Sequence, residues 1–511
     1  MAGARVDATE REVSATRSIV ELPGPPGLPL VGSAHRMRLY DTHQVLEQWC
    51  ERYGPIFTFR AGLRRYVAVG ESETINQVLR ERPDGFRRSR ELANAFEGVG
   101  FPGVLTVEGE TWKRQRRLVV TALNTNRLHR HFQVIRTATE RLHRRLLGAA
   151  REDRSIQIGA ALTSYTVDIA SALAFGHDLN TLERGDNELQ SHIQRAFNML
   201  NRRSLFPLPY WRWIRLPADR ALDRSLVQLR HATAGFIAQA REQLAERPEL
   251  REEPENFLQA MLAAQQTEGT FTDQEIIGNV FTLLLAGEDT TAHTISWTVW
   301  FLAQKPEIQA RWAQEADIVL GERPFPEEHE QISQLPYGAA VLRESMRLKG
   351  VAPVIGLESL ADTTVADTRI PAGTRVLLLG RYASRQAGGA EFEPGRWLDD
   401  HEREAPDQKS FLAFGAGPRF CPGRNLAFLE ASAALAMIAR NFELQLDQEG
   451  GPVREQFSLT MAPRGLRMRL RERATQTPRR ARAAVLAGAT TNGCPAIVGG
   501  ALEPNASEGM Q

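Results

Sequence analysis

Apolar residues recur every three or four positions from about residue 108 to residue 350, as in Ile193, Phe197 and Leu200. That spacing lines one face of a helix, so this stretch is predicted to be mostly helical. The clearest helix opens at Thr272-Asp273-Gln274-Glu275. There the Thr272 hydroxyl can accept from the backbone N–H three residues on, and Glu275 can reach back. The apolar pattern runs to Ala303, and Pro306 forbids continuation. The result is a helix of about 30 residues, two to three times the ordinary length. It is apolar on most sides near its middle and should therefore be buried.

Elsewhere the period changes. Tyr53-Gly54-Pro55 leads into alternating Ile56-Phe57-Thr58-Phe59, the start of a small sheet. Thr363-Thr364-Val365, Ile370 to Thr374 and Val376 to Leu379 read as short strands joined by turns. A Pro/Gly-punctuated loop fills 386–422, a last long helix runs from Gly423 through Ala427 to Ala439, and Phe457 to Leu470 reads as a closing hairpin. Leu22-Pro23-Gly24-Pro25-Pro26-Gly27 makes a rigid entry to the domain. One domain is expected over 21–473. Residues 1–20 are polar, and 474–511 are rich in Ala, Gly and Thr without periodicity; both are expected to be disordered. Arg479-Arg480-Ala481-Arg482 reads as part of a solvated tail, and the sequon Asn505-Ala506-Ser507 has no secretion signal beside it.

Composition narrows the classes. Charge is balanced, at +1 overall, which gives no reason to expect nucleic acid or an anionic surface as the main partner. The cysteines are Cys50, Cys421 and Cys494, too few for a disulfide framework and suited to a reducing cytoplasm. The N-terminal segment is charged throughout and reads as neither signal peptide nor membrane anchor. A soluble, cytoplasmic monomer is the expectation.

The candidate chemistry begins at Phe414-Gly415-Ala416-Gly417-Pro418-Arg419-Phe420-Cys421-Pro422-Gly423. Glycines permit close backbone approach to a large flat ligand. The helix that follows offers free N–H groups, which favour a thiolate. A lone Cys without a second ligand at zinc spacing argues against zinc. The residues alone leave open a thiolate-ready loop or a buried free Cys. The whole segment, however, resembles the haem-binding signature of the cytochrome P450 family, Phe-x-x-Gly-x-Arg-x-Cys-x-Gly, at every fixed position. The resemblance implies haem b ligated through iron by Cys421, Arg419 on a haem propionate, Phe414 beside the sulfur and Gly423 completing the loop.

A second segment lies mid-way along the long helix: Ala286-Gly287-Glu288-Asp289-Thr290-Thr291. Acidic and β-branched residues and a glycine are poor choices inside a helix. Thr290 can bond back to the Ala286 carbonyl and loosen the turn, opening a groove beside Ala286 and Gly287. The segment resembles the P450 oxygen-binding motif. That implies Asp289 as proton-delivery acid and Thr290 as hydrogen-bond partner of bound oxygen.

Two further motifs are weak alone and gain weight from their order. Glu344-Ser345-Met346-Arg347 resembles the family's Glu-x-x-Arg pair, with Arg396 of Phe392-Glu393-Pro394-Gly395-Arg396-Trp397 completing a structural network. Trp112-Lys113-Arg114-Gln115-Arg116 resembles Trp-x-x-x-Arg, which implies propionate binding by Trp112 and Arg116. Lys113, Arg114 and Arg117 are expected to face outward as a basic docking surface for an acidic electron donor. The chain also departs from the family. Where many members carry Pro-Pro and then a propionate-binding Arg, it reads Lys349-Gly350-Val351-Ala352-Pro353 and Val354-Ile355-Gly356-Leu357-Glu358-Ser359, with no base in the second stretch.

Taken together, the resemblance implies a mainly α fold with a smaller β-rich lobe, the haem lying between the long helix and the Cys loop. It implies a monooxygenase of soluble bacterial type that uses O2. NAD(P)H electrons would arrive through a ferredoxin or flavodoxin with its reductase. The rival readings are a P450-fold peroxygenase or isomerase and a non-catalytic haem sensor. A lipophilic substrate is expected, with Phe96, Val354, Ile355 and Met461 as pocket candidates, together with the loop to Leu105 and the region from Ser204 to Trp213.

Overall fold

The computed structural model describes residues 17–473, save 39, 99, 124, 186–187, 205–208, 269–270 and 399–407. The 474–511 tail and residues 1–16 therefore lie outside the described residues.

The long helix forms as its sequence predicts, over Asp273–Gln304. Its capping box is reciprocal: the Glu275 backbone N–H donates to Thr272 Oγ1 (3.2 Å), and the Thr272 N–H donates to Glu275 Oε2 (2.9 Å). This central helix packs against Ile158–Phe175, Pro336–Leu348 and Arg424–Asn441, which surround it. Ile158–Phe175 is apolar enough and long enough to cross a membrane, yet 72% of it is buried within the protein. Its apolar character is that of a core helix.

The β-rich lobe is a five-stranded sheet in the order Ile56–Ala61, Arg64–Val69, Arg375–Leu378, Ile355–Ser359, Phe86–Arg88. Three expectations need correction. Arg17–Ser18, counted in the polar N-terminal segment, adds a parallel strand to Thr368–Ile370, with Arg17 Nη2 on Asp367 at 2.8 Å. The predicted strand from Ile370 to Thr374 is mostly a turn: the Thr374 N–H donates to the Pro371 carbonyl, and Gly373 has φ +79°. Phe457 to Leu470 is not one hairpin. Met461–Arg464 pairs back with Arg454–Phe457, and Met468–Glu472 pairs with Phe442–Leu446 instead. Gly465, at φ +83°, lies between the two strands and lets the chain leave one ladder for the other.

Candidate active site

Cys421 stands three residues before helix Arg424–Asn441. Its backbone N–H donates to the Phe414 carbonyl (2.9 Å), closing the loop on itself. Gly415 and Gly417 both hold φ +68°, a left-handed conformation that favours glycine. A Cβ on Gly417 would lie 2.2 Å from the Leu79 carbonyl oxygen, so no side chain fits there. The Gly423 backbone N–H donates to the sulfur. Burial raises the thiol pKa, and the Gly423 N–H and the charges of Arg116 and Arg424 pull against it. A coordinating metal ion deprotonates a thiol outright, and the same three groups are then placed to steady the thiolate.

Cys421 and Thr290 line one cavity of about 370 Å³ between the ligand loop and the central helix. Much of the remaining wall is apolar, including Val104, Leu105, Leu283 and Ile355. The Thr290 hydroxyl donates to the Ala286 carbonyl at 2.6 Å, the back-bond that its sequence predicts. Ala286 and Gly287 border the cavity beside it. Asp289 does not line the cavity. It is buried behind the wall, and burial raises its carboxyl pKa to about 6.

Trp112, Arg116 and Arg419 converge as expected. The Arg419 guanidinium lies 4.4 Å from the Trp112 ring centre, donates to the Val107 carbonyl (3.0 Å) and pairs with Glu108. Its Nε is buried with no acceptor in the protein. Arg116 lies over the Phe420 ring and donates to the Phe420 carbonyl (2.7 Å), linking the Trp112 helix to the ligand loop. Arg114 departs from its outward assignment. It pairs with Glu275 and stacks on Phe271, tying this helix to the start of the central one. Lys113 and Arg117 are exposed.

The Glu344 network is denser than its motif suggests. The Glu344 carboxylate, fully buried, accepts five N–H donors. Two come from Arg347 (2.8 and 2.9 Å), and one each from the Glu393 backbone (3.1 Å), Arg396 (3.0 Å) and Trp397 (2.9 Å). Arg347 donates onward to the Gly389 and Glu391 carbonyls (2.7 and 3.2 Å). Trp397 also packs edge-on against Phe411, three residues before Phe414. The network thus anchors the segment that leads into the ligand loop.

Of the pocket candidates, Ile355 and the end of the loop to Leu105 line the cavity. Phe96 is buried in helix Arg90–Glu97. Val354 packs with the cluster of Leu46, Trp49, Phe57 and Phe59. Met461 is sealed away: its sulfur accepts from Arg381 (3.2 Å) and its carbonyl accepts from Trp297 (3.0 Å). Alternating patterns show which residues are buried but not which side of a wall they face.

The departure at Lys349 has a structural counterpart. Lys349 pairs with Glu455 and lies over the rings of Trp297 and Trp300 (4.9 and 5.3 Å). Glu455 also accepts from His43 and Arg381 at 2.7 Å each. In the second departure, the stretch carries no base but an acid, Glu358, which pairs with Arg87, Arg90 and Arg375.

Glu430 was missed by sequence reading. It lies on the helix after Cys421, lines the cavity and is almost fully buried. Burial raises its carboxyl pKa to about 8, partly opposed by a hydrogen bond with Thr291. A single acid among apolar residues, Phe428-Leu429-Glu430-Ala431, was the available signal. The folded protein holds this proton more tightly than the unfolded chain does. Its contribution to stability is therefore full below the ordinary value of 4.5 and is lost as pH rises through about 8. Glu430→Gln, which mimics the neutral acid, should flatten the fall in melting temperature over that window, as measured by thermal unfolding against pH.

The donor set fits a thiolate-ligated haem. There is one sulfur with a backbone N–H on it, an apolar cavity above a close-approaching loop, and an orphaned Arg419 Nε that a haem carboxylate would satisfy. Comparison with known proteins agrees. The cytochrome P450 family model matches residues 22–469. A cytochrome P450 of Caenorhabditis elegans, CYP13A3, is 27% identical over 88% of this chain and 93% of its own length. Mouse thromboxane-A synthase is 28% identical, over 78% of this chain and 82% of its own. A self-sufficient P450 monooxygenase of Aspergillus niger, CYP505E1, is 27% identical over 90% of this chain and 42% of its own length. These relatives are eukaryotic, so they lend no support to a bacterial type. With a family match that takes in every motif from Trp112 to Cys421, the chain is a member of the cytochrome P450 family.

Proposed function

We propose that this enzyme inserts one atom of O2 into an apolar small molecule held between the central helix and the ligand loop. The observation that carries the reading is Thr290 on the wall of the Cys421 cavity, with the acid Asp289 buried directly behind it. When bound, haem iron with a thiolate ligand supplies oxygen activation. The chain's own residues supply the rest. Gly423 and Arg116 steady the sulfur. Thr290 donates to the Ala286 carbonyl, so its oxygen lone pairs stay available to accept a hydrogen bond and hold a proton donor at the wall. Asp289, near pKa 6, can take up and release a proton at neutral pH. The apolar wall of Val104, Leu105 and Ile355 favours a lipophilic substrate.

The P450 unit takes up residues 22–469, so electrons from NAD(P)H come from outside that stretch. A ferredoxin or flavodoxin with its reductase is the proposed source. Exposed Lys113 and Arg117, on the helix that carries Trp112, would face such an acidic donor.

The test is to screen lipophilic compounds for a Soret shift in the holoprotein. Hits are then assayed for substrate-dependent NAD(P)H and O2 consumption with a donor pair. The expected product gains one oxygen. Turnover on peroxide alone, or product with no added oxygen, would place the enzyme with the peroxygenases or isomerases instead. Asp289→Asn should lower turnover by about 100-fold or more while leaving the substrate-induced Soret shift in place. Wild-type turnover should fall as pH rises above about 6, because the donor form of Asp289 is lost there.

A further inference from the structure

We infer that His129, His329 and Glu330 form a binding site for one divalent transition-metal ion, zinc by their chemistry, which ties two helices together outside the haem cavity. None of the three lines that cavity, so the inference stands apart from the haem reading.

His129 lies on helix Thr125–Arg130, and His329 and Glu330 lie on helix His329–Ser333, 200 residues further along the chain. Each residue offers a ligand atom, an imidazole nitrogen or a carboxylate oxygen, and these atoms all fall within 4.8 Å of one another. Around a tetrahedral zinc ion, with bonds of about 2.0–2.2 Å, the ligand atoms stand about 3.3 Å apart. His129 and Glu330 are exposed, so small side-chain rotations close the difference.

The surroundings keep these ligands available. The two imidazole rings face one another, with 3.4 Å between centres and a tilt of 31°. Two imidazolium ions would repel strongly at that distance, so the arrangement favours neutral rings, the form that binds metal. Among the described residues neither ring makes a hydrogen bond, and the ionic neighbour of Glu330 is His129 Nδ1 at 4.0 Å. The nearby arginines are engaged elsewhere. Arg130 pairs with Glu253 (3.1 Å), while Arg136 (3.8 Å) and Arg323 (3.3 Å) share Glu327. Phe132 backs the His329 ring edge-on at 5.8 Å. Two neutral nitrogens and an uncompensated carboxylate therefore meet at one point.

The donor set selects the ion. Two imidazoles with one carboxylate suit Zn2+, Ni2+ or Cu2+, whereas Mg2+ and Ca2+ take oxygen ligands throughout. Three protein ligands leave the fourth tetrahedral position to water. The ion's role is that of a staple. Leu128, next to His129, is buried in the core, and the helix follows Leu123, which lines the haem cavity. A bound ion thus anchors the chain just beyond the Trp112 helix.

The experiment titrates full-length holoprotein, first stripped with a chelator, with Zn2+ by calorimetry. His129→Ala, His329→Ala, the double His variant and Glu330→Gln are compared with wild type, and far-UV circular dichroism serves as the fold control. Wild type should take up one ion per chain that Mg2+ does not displace. Loss of an outer partner of a metal ligand costs about 10- to 100-fold in affinity, so each loss of a ligand should cost at least as much. His177→Ala, which removes an exposed imidazole elsewhere, should change nothing. X-ray absorption at the zinc edge should show two imidazole ligands, a signal that haem iron leaves untouched. Zn2+ should also raise the melting temperature of wild type and not that of the double His variant. No uptake by wild type would overturn the inference. So would a double His variant that keeps its ion with an unchanged absorption edge, since the ion would then sit elsewhere.

Discussion

Cys421→Ala is expected to abolish the thiolate-haem spectrum and all O2-dependent turnover while leaving the helical fold intact. The sulfur is the one metal-ligating side chain that the ligand loop brings to the cavity, and among the described residues no second Cys lines that cavity to take over. Loss should reach the detection limit, because a missing axial ligand removes the chemistry rather than weakening it. The loop itself should survive. Its closure depends on the Cys421 backbone N–H to Phe414 and on the glycine conformations at Gly415 and Gly417, none of which needs the sulfur. Cys421→His separates ligand loss from thiolate loss: haem binding can persist, but the reduced CO complex should lose the shifted Soret band of thiolate ligation. Absorption spectra of the purified variants, with far-UV circular dichroism as the fold control, check both statements. A normal thiolate spectrum in Cys421→Ala would sink the assignment.

Glu344→Ala should cost about 3–5 kcal/mol, the range for breaking a buried ion pair by removing one partner. Against a total stability of about 5–15 kcal/mol, that threatens the fold outright. The reason is the number of donors left behind. Arg347, fully buried, and Arg396, partly buried, keep their charges, and Trp397 and the Glu393 backbone lose their acceptor. Glu344→Gln should be nearly as severe, because an amide nitrogen would face guanidinium donors. The double variant Glu344→Met/Arg347→Met should cost less than the sum of the single changes, since it removes the charge with its partner. Thermal unfolding and haem content per chain measure the effect. A melting temperature within a few degrees of wild type for Glu344→Ala would refute it.

What the sequence revealed was what it holds locally. The capping box at Thr272 and the back-bond of Thr290 span three or four residues, so spacing alone predicts them. The ligand loop is contiguous, and its order of residue types carries its chemistry. Contacts made across long separations were hidden. Arg82 and Arg88 reach the cavity from more than 300 residues before Cys421, and in sequence they look like any charged turn. Glu455 gathers His43, Lys349 and Arg381 in the same way, and its strand was missed because Arg454-Glu455-Gln456 has no apolar alternation. Met461 shows the converse failure. It is as buried as a pocket residue should be, but Arg381 and Trp297 hold it on the far side of the wall.

The five-donor carboxylate also constrains the order of biosynthesis. Glu344 is made about 50 residues before Glu393, Arg396 and Trp397 as the chain emerges from its N-terminus. Until they appear, Arg347 alone can meet the charge, and burying Glu344 with most of its acceptor capacity unmet is costly. Helix Pro336–Leu348 therefore cannot settle into its final place on the ribosome until translation has passed residue 397. Cys421 follows 24 residues after that point. The anchor and the metal ligand become competent almost together, which ties cofactor capture to the arrival of the 393–421 segment rather than to that of the helices before it.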